Sequence, residues 1–129
     1  MIEVAHLSKR FGRNRVVDDL SFRVPEGEAV ALWGENGAGK TTIIRCILGL
    51  LPFRGAIAVA GRDVRREGKS ARQAIGYVPQ ELALYDDLRV VEALAFFARL
   101  KRAPTDRAAG VLAEVSLQAH RRKRIRQLS

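Results

Sequence analysis

The run GENGAGKTT, residues 34–42, constrains this chain more than any other feature. It matches the phosphate-loop pattern G-x-x-x-x-G-K-[ST] at every required position. The apolar segment 28–33 precedes it and predicts a strand, and the apolar residues of segment 41–51 follow at helical spacing. These flanks disfavour the alternative, an ordinary glycine turn before a helix. A strand, a glycine loop and a helix in this order indicate a site for a nucleoside triphosphate.

The residue types in the loop fit the chemistry of phosphate binding. Glycines let the backbone N–H groups point inward, and the following helix adds unpaired N–H groups and the positive end of its dipole. Lys40 can reach the β- and γ-phosphates, the Thr41 hydroxyl is the expected Mg²⁺ ligand, and Thr42 lies nearer the α-phosphate. The predicted phosphate-binding set is therefore Gly34, Glu35, Asn36, Gly37, Ala38, Gly39, Lys40, Thr41 and Thr42.

Composition is that of a globular domain. The 129 residues are 47% apolar and 29% charged, which is ordinary for one soluble domain. Arg45 interrupts the longest apolar run, and the first residues lack a signal core, so we expect neither a membrane span nor a leader. Cys46 is expected to be a buried spacer in the helix, and His6 and His120 stand too far from other ligands for a Cys/His metal site.

The chain carries a net charge of +9, which suggests anionic partners. Only 6% of the residues are aromatic, and none is interleaved with the basic run 121–126. Nucleic-acid surfaces usually combine basic and aromatic residues. A solvated or membrane-facing surface is therefore favoured, and no nucleic-acid partner is expected.

Periodicity predicts the remaining elements. Alternating apolar residues indicate strands over 1–11, 16–24, 56–64 with a turn at Gly61, and 74–80. Helical spacing from Val90, closed by Lys101, indicates an amphipathic helix. A second helix is expected from a cap at Thr105 to about Leu117, weakened by Gly110.

Taken together, these motifs resemble the nucleotide-binding domain of ATP-binding cassette (ABC) proteins along the whole chain. Segment 7–22 is similar to the opening of that domain, and the resemblance implies that Phe11 stacks on adenine while Val16 touches the base. Without this pattern Phe11 would be interpreted as a core aromatic. GYVPQE, residues 76–81, is similar to the glutamine loop. The resemblance implies that Gln80 offers its amide oxygen to Mg²⁺ or to the attacking water, although an isolated glutamine is usually a surface residue.

The resemblance also has departures. Arg89 stands where the family often has a capping threonine or serine, which costs about 1 kcal/mol unless Asp87 substitutes, with partial compensation from Glu92. Segment 50–57 is compressed and indicates a shortened loop. Residues 126–129 look like the approach to the signature motif L-S-G-G-Q, of which only Leu128 and Ser129 are present.

The implied fold is α/β, that of a P-loop nucleoside triphosphate hydrolase with an incomplete ABC-type domain: an antiparallel β subdomain, the P-loop strand and helix, the glutamine loop and part of the helical lobe. Residues 1–129 are interpreted as a partial domain, with 1–87 in the nucleotide-binding core and 88–129 in the lobe. The catalytic base, the second Mg²⁺-site strand and the switch histidine have no counterpart. We therefore expect these residues alone to bind nucleotide without turning it over.

The resemblance implies ATP and Mg²⁺ as cofactors, with Lys40 and Gln80 as catalytic residues and Thr41 and Gln80 at the metal. In the complete protein it implies ATP hydrolysis that drives transport, with efflux favoured. The implied partners are transmembrane subunits and a second nucleotide-binding domain, paired head to tail, which places the protein in the cytoplasm, peripheral on the inner face of the membrane. Two alternatives stay open: a soluble cassette ATPase acting on nucleic acid or the ribosome, and a nucleotide-binding fragment without catalysis. The motifs leave the transported substrate open.

Overall fold

The computed structural model describes residues 1–80, 86–104 and 107–128. It contains two compact units, residues 1–77 and residues 78–129. The first holds a sheet, the phosphate loop and the helix after it, and the second is helical. The division at residue 87 inferred from the family resemblance stays a prediction about the complete domain.

Four antiparallel strands form the sheet of the first unit. They are β1 (Ile2–Phe11), β2 (Asn14–Val24), β3 (Arg54–Val59) and β4 (Arg62–Asp63), in the order β2-β1-β3-β4. The first two strands are confirmed as predicted, apart from the ends. The predicted strand 56–64 is two strands, because the chain turns at Ala60 and Gly61, both of which have positive φ.

One face of this sheet packs on the helix that follows the phosphate loop, α1 (Lys40–Ile47). The shared core consists of Val4, Leu7, Val17, Ile43, Cys46, Ile57, Val59, Val64 and Ala71. Each buried aliphatic side chain contributes about 1.5–3 kcal/mol to the stability of the fold. Because Ile43 and Cys46 belong to this core, it holds α1 against the sheet and fixes the position of its first turn. Cys46 is the expected buried spacer: burial raises the pKa of its thiol, which keeps it protonated.

The strands that flank the core are irregular where the sequence departs from alternation. Val4 and Leu7 are three residues apart, yet both are buried, and the pairing register of β1 shifts between them. A bulge adds one unpaired residue to the strand, so the alternation of side chains shifts by one position and Leu7 faces the core like Val4. After the bulge, Leu7 and Lys9 are both buried.

A short helix that the sequence analysis did not predict, α2 (Gly68–Gln73), follows β4. It buries only Ala71, and its other residues are mainly polar or charged. Six residues with one buried position show no apolar spacing at the helical period, so hydrophobic periodicity did not predict α2.

Two predicted strands are wrong. Residues 28–33 and 74–80 run without regular secondary structure. A strand exists through its hydrogen bonds to a neighbour, and within the described ranges the sheet contains only β1 to β4. Apolar side chains of the first of these segments are exposed in this structure: Val30 is 51% exposed and Trp33 is 98% exposed.

The second unit contains α3 (Val90–Lys101) and α4 (Arg107–Glu114), followed by two 3₁₀ turns, Gln118–His120 and Ile125–Gln127. The helix from Val90 to Lys101 is confirmed. The second helix is shorter than predicted, and its expected cap at Thr105 lies outside the described residues. No helix in the described ranges has the length and apolar character to cross a bilayer.

Arg89 provides no side-chain cap at the start of α3, and other groups accept the N–H groups there. Glu92 lies in the first turn, and its carboxylate also accepts the backbone N–H of Arg89 at 2.8 Å, a contact that the sequence analysis did not predict. The sequence left open a cap from Asp87, but the described contacts of its carboxylate are with the guanidinium groups of Arg124 and Arg126, at 3.1 and 3.4 Å. The first N–H groups of the helix are instead satisfied by backbone carbonyls of the basic run: Val90 donates to Lys123 and Val91 to Arg121, both at 3.1 Å. Part of the basic run therefore has a structural role.

The phosphate loop is seated against β2. Gly39, the residue before α1, has φ +90, and a Cβ built on it would lie 3.0 Å from the carbonyl oxygen of Val16 and 3.2 Å from its Cγ1. Gly37 has almost the same φ, +91, but a Cβ there would meet nothing within 4 Å. An alanine at either position would pay the same free-energy cost for positive φ, but only an alanine at Gly39 would also contact β2.

We expect Gly39→Ala to lower the free energy of unfolding by about 2 kcal/mol or more, because it adds a clash with β2 to the cost of a left-handed alanine. Gly37→Ala, the matched control, should cost about 1 kcal/mol, since only the backbone term applies. Chemical denaturation followed by circular dichroism measures both. Equal losses in the two variants would contradict the seating of Gly39 against Val16.

Candidate nucleotide-binding site

The start of α1 is left open to an anion. Gly39 is the N-cap residue and provides no side-chain cap, and the first turn contains no acidic residue. The first bond of the helix runs from the Ile43 N–H to the Gly39 carbonyl at 2.9 Å. The N–H groups of the preceding three residues have no partner inside the helix, and the helix dipole is positive here. This arrangement favours negative charge at the loop.

Lys40 lies across the mouth of the loop. Its ammonium donates to the carbonyl oxygens of Gly34 and Glu35 at 2.7 and 2.8 Å. An ammonium group has three donors, so one remains for a ligand while these two bonds persist. The lysine charge is therefore held at the point where the phosphates are predicted to bind.

The remaining loop residues form an exposed turn. The Ala38 N–H donates to the Glu35 carbonyl at 3.1 Å, and Asn36 lies between them. Gly34 has φ +152, and a Cβ on it would lie 3.2 Å from the Ala38 Cβ, so a glycine permits this turn. The backbone is thus shaped by short-range contacts among the predicted phosphate-binding residues themselves.

Thr41 is exposed and Thr42 is half-buried in the first turn of α1. A hydroxyl oxygen is a suitable ligand for Mg²⁺, which usually takes one or two protein oxygens and completes its shell with phosphates and water. In the described part of the chain, no group of three or more His, Cys, Asp or Glu side chains could hold a metal ion. The donor set therefore fits a cation that arrives with the nucleotide.

The structure brings Val16 to the loop, since its backbone and side chain lie against Gly39. Phe11 is at the end of β1, opposite Asn14, and is 48% exposed. The Lys9 ammonium lies 4.8 Å from the centroid of its ring, a cation–π distance. Sequence reasoning missed Lys9, although its position two residues before Phe11 puts both on the same side of a strand. One ring face is thus covered by a cation, and stacking on a base would use the other.

Gln80 is exposed, and it belongs to the second unit whereas the phosphate loop belongs to the first. Its role toward Mg²⁺ or the attacking water stays a prediction. Glu81, the last residue of the glutamine-loop motif, and Ser129, the serine assigned to the signature motif, lie outside the described residues.

The comparison with known proteins agrees with the loop and the fold. The family model described as "ABC transporter" matches residues 17–129. The linearmycin resistance ATP-binding protein of Bacillus subtilis is 37% identical over 134 residues, which cover 100% of this chain and 43% of that protein. The sulfate/thiosulfate import ATP-binding protein of Cucumis sativus is 44% identical over 101 residues, covering 78% of this chain and 29% of that protein.

The solved structure of the ATP-binding subunit of an ABC transporter superposes with a TM-score of 0.85 at 32% identity, over 99% of this chain and 55% of that one. This chain therefore spans about half the length, or less, of the proteins it matches. The α/β fold of the P-loop hydrolases and the ABC-type domain are confirmed. On the motif, the fold and these matches, the chain belongs to the ABC transporter family of ATP-binding proteins.

Proposed function

We propose that this chain binds MgATP through residues 34–42, and that the complete protein uses ATP hydrolysis to drive transport across a membrane. The observation that carries the proposal is the Lys40 ammonium, held 2.7 and 2.8 Å from two loop carbonyls at the uncapped start of α1. A bound phosphate oxygen is a stronger, charged acceptor than either carbonyl. Lys40 can exchange these bonds for phosphate without moving away from the loop.

The residues of the chain have separable roles in this proposal. Lys40 and the N–H groups of α1 stabilise negative charge on the phosphates. The Thr41 hydroxyl would hold Mg²⁺, which would supply positive charge to the phosphates. Phe11 and Val16 would contact the adenine, and Gln80 would orient the attacking water. In this proposal binding therefore depends on residues of segment 11–42, and turnover also requires Gln80.

We further propose efflux as the direction of transport. The Bacillus subtilis relative is named for resistance to linearmycin, which favours export as the direction. The other relative named above is an import protein, so similarity over this part of the chain supports export less strongly than it supports transport. Direction and cargo are then properties of the transmembrane subunits, with which we propose that the protein assembles on the cytoplasmic face as a head-to-tail pair of nucleotide-binding domains.

Lys40→Ala should weaken ATP binding at least about tenfold, because a charged hydrogen bond to phosphate contributes roughly 1.5–3 kcal/mol. Lys69→Ala is the matched control: it removes the same charge from an exposed position on α2 and should bind as the unchanged protein does. Isothermal titration calorimetry with ATP and Mg²⁺ measures both. Equal affinities for Lys40→Ala and the unchanged chain would refute the proposed site.

Gln80→Ala should reduce ATP turnover more than ATP affinity in the transporter-assembled protein, because the glutamine is proposed to act on the attacking water and not on the phosphates. A coupled ATPase assay together with a binding titration separates the two effects. Gln73→Ala, at the end of α2, changes the same side chain elsewhere and should leave the rate unchanged. Full turnover in Gln80→Ala would remove this residue from the mechanism.

Phe11→Ala should weaken ATP binding about tenfold, because base stacking on an aromatic ring contributes roughly 1–3 kcal/mol. Its binding of tripolyphosphate, which has no base, should be unchanged. Phe11→Tyr retains the ring and should retain ATP affinity. If Phe11→Ala weakened both ligands equally, the ring would have a structural role and not an adenine contact.

A further inference from the structure

The first unit has a basic cavity that is lined by none of the predicted nucleotide-binding residues. Its volume is about 400 Å³, and it lies between the β1–β2 hairpin and the start of β3. Four cations line it, Lys9, Arg10, Arg15 and Arg54, together with one carboxylate, Asp18, and the ring of Phe53. Its lining therefore carries an excess of positive charge.

Lys9 is the charged residue at the inner end of this cavity. It is only 8% exposed, and it is the one polar or charged residue among the described ones that is buried. Its ammonium donates to the Pro52 carbonyl at 2.7 Å and contacts the Phe11 ring, but within the described ranges it has no carboxylate partner. Burying an ammonium without a counter-charge costs free energy. The fold therefore keeps a buried cation that it does not neutralise.

The arginines around Lys9 add to the imbalance. Arg10 and Arg15 are directly opposite each other in the β1–β2 ladder, a position where like charges destabilise a sheet. Arg15 is compensated by Asp18 at 2.6 Å, whereas Arg10 makes only a contact of 3.5 Å with the Arg13 carbonyl. Arg54 is paired with Ser8 in the ladder, and among the described residues its guanidinium has no partner. Three of the four cations therefore lack an anionic partner in the described chain.

The hydrogen-bonding groups converge on one kind of ligand. Arginine forks and an ammonium provide many N–H donors around a small volume. Ser8 accepts the backbone N–H of Asp19 at 3.0 Å, which leaves its hydroxyl proton free to donate. A carboxylate offers only two oxygens to such a set, whereas a terminal phosphate offers three oxygens and up to two negative charges. The donor set fits phosphate best.

We propose that this cavity binds a terminal phosphate group, separate from the nucleotide held by the phosphate loop. Lys9 supplies the buried charge, and Arg10 and Arg54 provide the exchangeable donors at the entrance. Either a phosphorylated small molecule or the phosphomonoester headgroup of a lipid provides this chemistry. Its binding would relieve the repulsion across the hairpin, and the ligand would therefore also stabilise the first unit.

The test uses pyrophosphate and isothermal titration calorimetry on the unchanged chain and four variants. Arg54→Gln and Lys9→Met should each lower affinity for the cavity about tenfold, as expected for loss of a charged hydrogen bond. Arg13→Gln, an exposed arginine of the same hairpin that does not line the cavity, is the matched control. Lys40→Ala should remove binding at the phosphate loop and leave binding at the cavity intact.

The outcomes are distinguishable. A pyrophosphate site that survives Lys40→Ala and is lost in Arg54→Gln supports the cavity, whatever the fate of the ATP proposal. Loss in Lys40→Ala alone, or equal losses in Arg54→Gln and Arg13→Gln, overturns it. Because the buried Lys9→Met variant could misfold, the exposed Arg54→Gln variant decides the matter by itself.

Flotation with vesicles identifies the source of the phosphate. Phosphatidylcholine vesicles with about 20% phosphatidic acid present a terminal phosphate. The control vesicles contain phosphatidylserine instead, which gives a similar negative charge without a terminal phosphate. An anionic lipid fraction of this order gives measurable electrostatic binding. Arg54-dependent binding to phosphatidic acid alone assigns a lipid headgroup. Pyrophosphate binding without vesicle binding assigns a soluble ligand. A third outcome overturns the proposal in favour of a general basic surface. In that case both lipids bind equally, Arg54→Gln does not change the binding, and pyrophosphate has no site.

Discussion

The site depends on one close contact, between the backbone of Gly39 and Val16 on β2. A Cβ at Gly39 would lie 3.0 Å from the Val16 carbonyl oxygen, so β2 would have to move to admit a side chain there. This contact places the first turn of α1 beneath the sheet, and the core around Ile43 and Cys46 holds it there. The open N–H groups and Lys40 then have fixed positions before any ligand arrives. Preorganisation of this kind reduces the free-energy cost of ordering a phosphate site.

Sequence reasoning predicted those parts of the fold whose cause is local. The phosphate loop, α1 and α3 each have a period or a motif within about a dozen residues, and all three were found where predicted. The strands at 28–33 and 74–80 were wrong because a strand depends on a neighbour that no local pattern specifies. The contact between Lys9 and Phe11 was missed for a related reason, since a cation beside an aromatic is ordinary in sequence and becomes informative only when their separation of 4.8 Å is known.

The arginine-rich composition has two different physical meanings in the two units. In the second unit, carbonyls of the basic run 121–126 accept N–H groups at the start of α3, and Asp87 pairs with two of its arginines. The backbone of this run therefore has a structural role, whereas its two exposed ion pairs contribute little stability. In the first unit, Lys9 is buried without a carboxylate and Arg10 faces Arg15. Net charge alone, which suggested a solvated or membrane-facing surface, could not distinguish these cases.

The two lysines of the first unit show why burial decides what a cation can do. Lys40 is held by two loop carbonyls at the edge of solvent, so phosphate can replace those bonds with little loss of hydration. Lys9 is 8% exposed and donates to one carbonyl, so an anion that reaches it gains a Coulombic interaction with a side chain that folding has already buried in large part. Local departures from favourable charge pairing are most often retained where a site needs them. Lys9 therefore shares with Lys40 the property on which both proposed sites depend, a cation that the fold holds in place before its anion binds.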